Sequence, residues 1–461
     1  MNKQTLTIAS MLVTAPLAAV HAEEGAIVPS VLPSGAKWKL VFHDEFEGNT
    51  IDWTRWKASD HKDWVHPEFK TRQAPENCAL DGEGHLVIRI SRDPDGTIAY
   101  NHGLQTRDFQ KAFGYIEARV QFSTQPGWWG HVCLIRNNTL TNYGDDPFEN
   151  PQEFDIFEDY YKPKMHPHWP ADRHNVISQA FHATVPLGFQ DQGDGSGVSA
   201  YDARKKDSLS VHKLGRVLRH EYFKPTEYGG WHTVGLRWGP LEQVFYLDGK
   251  ETLRLNYKDT PITTVPQKLL TGGVFMTPNP LKKDAPNDAK YPPFYGWLED
   301  AQLPDQLVVD YLRWYEEDLA GAHIPVVTVD MIHDATYPTD TFPAGAPLKF
   351  RVRAENIDGK VQSIQLFSKG YLRGEMKLGT ARSNQELSVS TLLSGSDAQA
   401  NTVIDADGRI DQTFTVDSLF EGTNTVLATA VDNDGHVGIS APLRIKIKPA
   451  PPKQGDKQAA K

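Results

Sequence analysis

Three carboxylates lie close together in residues 151–161, a segment whose aromatic and branched apolar residues favour a β-strand. In a regular strand, side chains alternate between faces, so Glu153 and Asp155 share one face. Glu158 falls outside this alternation. A β-bulge at Ile156-Phe157 returns Glu158 to the face of the other two carboxylates. The sequence therefore predicts a bulged strand with three acidic side chains in a row.

Two carboxyl groups held side by side have a known chemical use. One attacks or stabilises the sugar carbon of a glycosidic bond, and the other protonates the departing oxygen. A row of like charges on one sheet face is otherwise unfavourable. The alternative explanation is an edge strand whose acids are simply solvated.

Residues 38–315 resemble glycoside hydrolase family 16, which contains β-glucanases, laminarinases, agarases and carrageenases. The acidic segment is similar to the bulged form of that family's catalytic strand. Further segments resemble the family and follow its order: Asp44-Glu45-Phe46 with Ile51-Asp52 and Trp56, Phe113 to Arg119, Trp231 to Trp238, Phe245 to Lys250, and Val309 to Arg313. Each segment is weak by itself, but their common order favours the resemblance.

The resemblance implies a role for each carboxylate. Glu153 matches the family's nucleophile and Glu158 its general acid/base. Asp155 lies between them, where it is expected to hydrogen-bond the nucleophile and influence its ionisation. Retaining enzymes hold their two carboxyls about 5–5.5 Å apart, a spacing that two residues flanking a bulge can reach. A retaining mechanism is therefore expected.

Sugar contacts are expected from aromatic and polar side chains near this strand. Trp128 and Trp129 occupy the place of the family's cleft-wall tryptophans. Where many members continue with Pro-Ala-Phe-Trp-Leu, this chain has Gly-His-Val-Cys-Leu, so His131 enters the site and Cys133 replaces a stacking tryptophan. His182, on the strand expected to follow, matches a sugar-contacting position. A purely structural histidine is the alternative there.

No cofactor is required for the expected chemistry. Family 16 enzymes often hold a structural calcium, and the matching positions are the backbone oxygens of Glu45 and Gly84 and the carboxylate of Asp310. Oxygen ligands of this kind suit calcium. The resemblance therefore implies a calcium site outside the reacting carboxylates.

The chain organisation follows from composition and strand patterns. Short strands separated by Gly, Pro and Asp turns predict an all-β fold, and the resemblance implies a concanavalin-like β-jelly-roll sandwich followed by an immunoglobulin-like sandwich. The second domain is expected to be a spacer rather than a sugar binder. The expected divisions are a signal peptide at 1–22, a linker at 23–37, the catalytic domain at 38–318, the immunoglobulin-like domain at 324–448 and a disordered tail at 449–461.

The 461-residue chain has a net charge of −11, which argues against a nucleic-acid partner. The signal peptide predicts a secreted or periplasmic protein with no membrane span in the mature chain, and we expect a monomer. Cys78 and Cys133 are compatible with one disulfide or with two buried thiols.

These observations together predict a secreted, endo-acting, retaining glycosidase whose partner is a polysaccharide. A β-1,3- or β-1,3(4)-glucan of the laminarin type is the preferred substrate, because the segments at 231–238 and 245–250 look most like the glucanases. Lys162, Lys164 and Arg173 favour a red-algal galactan such as agarose, porphyran or carrageenan, since sulfates attract such cations. A lectin-like protein of the same fold, without catalysis, is the third alternative.

Overall fold

A computed structural model describes residues 28–59, 70–135, 153–160, 176–185, 215–223, 229–258, 260–275, 301–333, 341–357, 361–378, 389–392, 402–404, 409–416, 419 and 422–448. The predicted signal peptide, the C-terminal tail and the loop with Lys162, Lys164 and Arg173 lie outside these ranges, and the proposed domain limits stay predictions. All described strands belong to the unit Leu32–Lys461.

Seventeen strands are described in the first sandwich. They are β1 (Trp38–Asp44), β2 (Trp56–Ala58), β3 (Thr71–Gln73), β4 (Cys78–Leu80), β5 (Leu86–Arg92), β6 (Ile98–Tyr100), β7 (Leu104–Thr106), β8 (Gly114–Gln121), β9 (Trp128–Ile135), β10 (Glu153–Tyr160), β11 (Val176–Val185), β12 (Gly215–Phe223), β13 (His232–Trp238), β14 (Glu242–Leu247), β15 (Lys250–Asn256), β16 (Lys268–Phe275) and β17 (Asp305–Glu317). A 3-10 helix, Pro75–Asn77, precedes β4.

These strands form two sheets, counted over the described residues. The first contains ten strands and runs β15-β14-β13-β8-β17-β5-β6-β3, with β1 added on β17 and β4 on β5. The second contains seven and runs β12-β11-β10-β9-β16-β7-β2, which places the acidic strand β10 between β11 and β9. One hydrophobic cluster draws side chains from both sheets, including Trp238 and Trp314 from the first and Phe154 from the second. The sheets therefore pack face to face.

Eleven described strands follow: β18 (Val326–Ile332), β19 (Thr341–Phe342), β20 (Leu348–Glu355), β21 (Val361–Ser368), β22 (Tyr371–Leu378), β23 (Val389–Leu392), β24 (Thr402–Ile404), β25 (Ile410–Val416), β26 (Gly422–Asp432), β27 (Val437–Ile439) and β28 (Leu443–Ile447). They make a four-stranded sheet and a seven-stranded sheet with their own core, which includes Phe350 and Ile364. Strand β20 alternates strictly between buried and exposed residues, as expected for a sheet with one solvated face.

The second sandwich contacts the first through β22 and the turn that precedes it. The backbone N–H of Ile262 donates to the carbonyl of Gly370 at 2.9 Å. The Tyr257 hydroxyl donates to Glu375, and Lys258 pairs with the same carboxylate at 3.2 Å. These contacts involve the segment that leads from β15 into β16. A spacer that only separated two domains would need none of them.

The predicted all-β fold class is confirmed, with a jelly-roll sandwich first and a second β-sandwich after it. The immunoglobulin-like character of the second sandwich stays a prediction. Cys78 and Cys133 are both buried free thiols, so the disulfide alternative does not apply. Within the described ranges, no helix is long and apolar enough to cross a membrane.

Candidate active site

Strand β10 contains the predicted bulge. Asp155 pairs with Cys133 of β9, and the next pair joins Phe157 to Val132. Two steps along β10 thus correspond to one step along β9, and the additional residue is Ile156. The pairing of β10 with β11 shifts at the same place. The bulge predicted from the acidic spacing is therefore confirmed.

The bulge places the apolar residues of β10 and the three predicted acids on opposite faces. Three apolar residues of this strand are fully buried in the hydrophobic core: Phe154, Ile156 and Phe157. Glu153 and Glu158 are half-buried, whereas Asp155 is only 1% exposed. Because the two bulge residues both enter the core, Glu158 returns to the side of Glu153 and Asp155. The burial of Ile156 and Phe157 in the core thus determines which face the three carboxylates occupy.

Strand β9 supplies the neighbours of the three carboxylates. The register pairs Glu158 with His131, Asp155 with Cys133, and Glu153 with Ile135. Side chains directly opposite each other on antiparallel strands project from the same face. His131 and Cys133 are each 4% exposed, so they form a closely packed floor beside the acids. A contact between His131 and sugar stays a prediction.

The Cys133 thiol shows that the carboxylates share one environment. Burial raises its pKa well above the ordinary value, and the charges of Asp155, Glu158 and Glu153 raise it further. A hydrogen bond between Cys133 and Asp155 acts in the same direction. The thiolate is therefore disfavoured, which argues against Cys133 as a nucleophile. All three acids lie within electrostatic reach of this one sulfur atom.

The two adjacent tryptophans of β9 point in different directions. Trp129 donates from its indole Nε1 to Oε1 of Glu158 at 3.1 Å, which places it at the carboxylate site. Trp128 lies in the core cluster and donates to Asp305 at 2.8 Å. With 2% of its surface exposed, Trp128 has no accessible ring face for a sugar. The structure thus assigns Trp128 to the core, contrary to its predicted place on the cleft wall.

His182 belongs to β11, and the backbone register pairs it with Glu153. This is the neighbouring-strand position that the sequence predicted. Its side chain lies outside the described part of the chain, so its contact with substrate stays a prediction. The same holds for the cationic loop that follows β10.

Two of the three predicted calcium ligands lie side by side. Gly84 has a φ of +89°, and a β-carbon built on it would stand 4.0 Å from the carbonyl oxygen of Glu45. The third, Asp310, forms an ion pair with Arg119, so a cation already balances its charge. The Glu45 carboxylate is likewise bound by Arg313 at 2.6 Å. The backbone oxygens of Glu45 and Gly84 suit calcium. The carboxylate of Asp310 suits it less well, because Arg119 already binds it. The calcium site stays a prediction.

Asp159 and Asp305 form a pair of buried acids that the sequence analysis missed. Asp159 directly follows Glu158, so strand alternation alone would have turned it toward the core. Asp305 gave no local signal, because its partners lie about 180 positions earlier in the chain. Both acids bind the turn that leads into β9.

No protein-family profile matches this sequence, and no curated protein does so either. Among solved structures, the chain is similar to SCLam, a non-specific endo-β-1,3(4)-glucanase from glycoside hydrolase family 16, with 18% identity, coverage of 63% of this chain and 94% of that chain, and a TM-score of 0.42. A κ-carrageenase from Zobellia galactanivorans is similar with 16% identity, 63% and 100% coverage and a TM-score of 0.42. A laminarinase catalytic domain from Thermotoga petrophila RKU-1 is similar with 18% identity, 62% and 100% coverage and a TM-score of 0.40. These similarities concern the fold.

Proposed function

We propose that this protein is an endo-acting, retaining glycoside hydrolase of the family 16 type. The observation that carries the proposal is the bulged strand β10, which places Glu153, Asp155 and Glu158 together on one face while its apolar residues fill the core. Two half-exposed carboxylates flanking a buried one suit a reaction that needs a nucleophile and a proton donor. The proposed nucleophile is Glu153, and the proposed general acid/base is Glu158.

In the first step, a carboxylate oxygen of Glu153 attacks the anomeric carbon as Glu158 gives its proton to the departing glycosidic oxygen. The carbon–oxygen bond to the leaving sugar breaks, and a covalent bond from the glycosyl unit to Glu153 forms. In the second step, Glu158 takes a proton from water, whose oxygen attacks the same carbon. Glu153 is released ionised, and Glu158 is protonated again.

Asp155 is the proposed modulator of this pair. It is buried and hydrogen-bonds the Cys133 thiol. Its charge also lies close enough to influence the same thiol together with Glu153 and Glu158. A buried carboxylate at this position raises the cost of ionising its neighbours. Replacing Asp155 with Asn should reduce turnover partly, whereas loss of either glutamate should be far more severe.

We propose a neutral β-1,3- or β-1,3(4)-linked glucan as substrate, with sulfated red-algal galactans as the alternative. The preference comes from the glucanase-like segments at 231–238 and 245–250, which form the hairpin strands β13 to β15. Laminarin, lichenan, agarose, porphyran and carrageenan should be assayed side by side for released reducing ends. Activity on a sulfated galactan with none on laminarin would replace the glucan assignment. Binding without release would favour the lectin-like alternative.

The catalytic assignment is tested with Glu153→Gln and Glu158→Gln on whichever substrate is cleaved. We expect each variant to lose ~10²-fold or more in turnover while keeping the thermal unfolding temperature of the wild type, because neither side chain belongs to the core. Glu317→Gln is the matched control, since Glu317 is exposed at the end of β17. Near wild-type turnover of Glu158→Gln on a poor leaving group would refute the acid/base role.

A further inference from the structure

The turn between β8 and β9 is bound by two buried carboxylates from opposite sheets. Asp159, on β10, is 1% exposed. Its Oδ2 accepts the backbone N–H of Ser123 at 2.7 Å, and its Oδ1 accepts the Ser123 hydroxyl and the Gly130 N–H, each at 2.6 Å. From the seven-stranded sheet, this acid therefore binds both the start of the turn and the strand β9 that follows it.

Asp305 holds the middle of the same turn from the ten-stranded sheet. Its Oδ2 accepts the backbone N–H groups of Thr124 at 2.9 Å and Gln125 at 2.8 Å. It also accepts the indole N–H of Trp128 at 2.8 Å. Hydrogen bonds to charged or buried acceptors of this kind are strong and directional. The path of the chain into β9 is consequently fixed on both sides.

Trp129 follows this turn and contacts Glu158, the proposed acid/base. The Trp129 indole Nε1 lies 3.1 Å from Oε1 of Glu158, and the tryptophan is 5% exposed. A ring so enclosed offers little surface for stacking on a sugar. The hydrogen bond to Glu158 is therefore the better-supported role of Trp129. Indole is only a donor, which suits a carboxylate acceptor.

We propose that Trp129 is a positioning residue for Glu158, and that Asp159 and Asp305 fix the turn that presents it. The indole N–H restricts the orientation of the Glu158 carboxyl and stabilises its ionised form. That form is the one required to accept a proton from water in the second step. The significance for catalysis rests on the proposed function, whereas the hydrogen bond itself does not.

The test is a carbon-13 NMR titration of the full-length protein with labelled glutamate carboxyls, in which Glu158→Gln identifies the Glu158 signal. In Trp129→Phe, the donor is lost, and we expect the Glu158 titration midpoint to move up by about one pH unit. Trp128→Phe is the matched control: it makes the same chemical change one residue away, where it removes one of the N–H groups that Asp305 accepts, and should move the midpoint by much less than Trp129→Phe does. An unchanged midpoint in Trp129→Phe, or an equal shift in both variants, would overturn the proposal.

The contribution of the turn is tested with Asp305→Asn. We expect the Glu158 midpoint to move in the same direction as in Trp129→Phe but by less, because the loosened turn holds the indole less firmly. A wild-type midpoint in Asp305→Asn would remove the anchoring part of the proposal. Because the titration needs no turnover, a shifted midpoint in a protein that releases no reducing ends would support the hydrogen bond and refute the glycosidase assignment.

Discussion

Asp155 is nearly inaccessible, whereas Glu153 and Glu158 on the same face are half-buried. This difference in exposure agrees with the different roles proposed for the three chemically similar groups. A nucleophile and a proton donor must meet the substrate, and a modulating carboxylate need not. Cys133 beneath them remains a neutral thiol, because burial and the three acids raise its pKa. The site therefore combines acids of unequal access around one neutral thiol.

Asp159 should make the free energy of unfolding depend on pH. Burial raises the pKa of its carboxyl to about 8 from an ordinary value of 3.8, although the hydrogen bonds from Ser123 and Gly130 act in the opposite direction. Between these two values the folded protein binds one proton more than the unfolded chain. The free energy of unfolding should thus be greatest at low pH on account of this group and fall as pH rises toward 8.

Asp159→Asn removes that titration. We expect the variant to lose a slope of up to ~1.4 kcal/mol per pH unit from the unfolding free energy between about pH 4 and 8, measured by urea unfolding at a series of pH values. The variant should also be less stable at low pH, because its amide group opposes a backbone N–H. Parallel curves for the two proteins across this range would show that Asp159 is ionised in the fold.

At the scale of elements, the bulge in β10 decides which face Glu158 occupies. Deleting Ile156 removes the additional residue and leaves regular alternation, so Glu158 stays beside Asp155. Inserting an alanine after Phe157 shifts Glu158 to the core side and brings Asp159 out. The two changes alter the length of the strand by one residue each but have opposite consequences for the acids.

We therefore expect the alanine insertion to abolish turnover and to lower the unfolding temperature, since it removes Asp159 from its hydrogen-bond partners Ser123 and Gly130 and places Glu158 on the core side without them. The Ile156 deletion should keep measurable turnover despite the loss of a buried side chain, which costs ~2–5 kcal/mol. Reducing-end release and thermal unfolding of both variants provide the comparison. Equal loss of turnover in the two would contradict the role assigned to the bulge.

Strand β10 was predictable because all the information lies within it: apolar residues that need a core and acids that need another face. Its neighbours were less predictable. Alternation shows that Trp128 and Trp129 diverge, but only the hydrogen bond of Trp128 to Asp305 on a distant strand decides which one enters the core. Interactions between residues more than a hundred positions apart leave no local pattern to recognise.

At the scale of the whole molecule, the second sandwich is attached by specific contacts rather than by a linker alone. Phe367 of its β21 is fully buried in a cluster with Ile262 and Leu427, and Tyr257 packs at its edge. Gly370 has a φ of +80°, and a β-carbon there would lie 2.4 Å from the Ile262 carbonyl oxygen. The segment so held leads into β16, which pairs with β9 beside the carboxylates. The second sandwich thus contacts the segment that leads into the sheet containing the three carboxylates.

Gly370→Ala tests this attachment. We expect one thermal transition for the wild type and two separated transitions for the variant, because the added methyl group displaces the Ile262 backbone. Gly435→Ala is the matched control: it has a φ of +86° but nothing within 4 Å of the added atom. It should suffer the backbone strain and keep a single transition. Separate transitions in the wild type, by calorimetry, would contradict coupled unfolding.

The most direct test of the central claim is proton NMR of the first products formed from the cleaved β-linked polysaccharide. Attack by Glu153 followed by attack of water inverts the anomeric carbon twice, so the first reducing ends should be β-anomers that mutarotate to the α form afterwards. If the α-anomer appears first, Glu153 is not a nucleophile and the retaining mechanism is wrong.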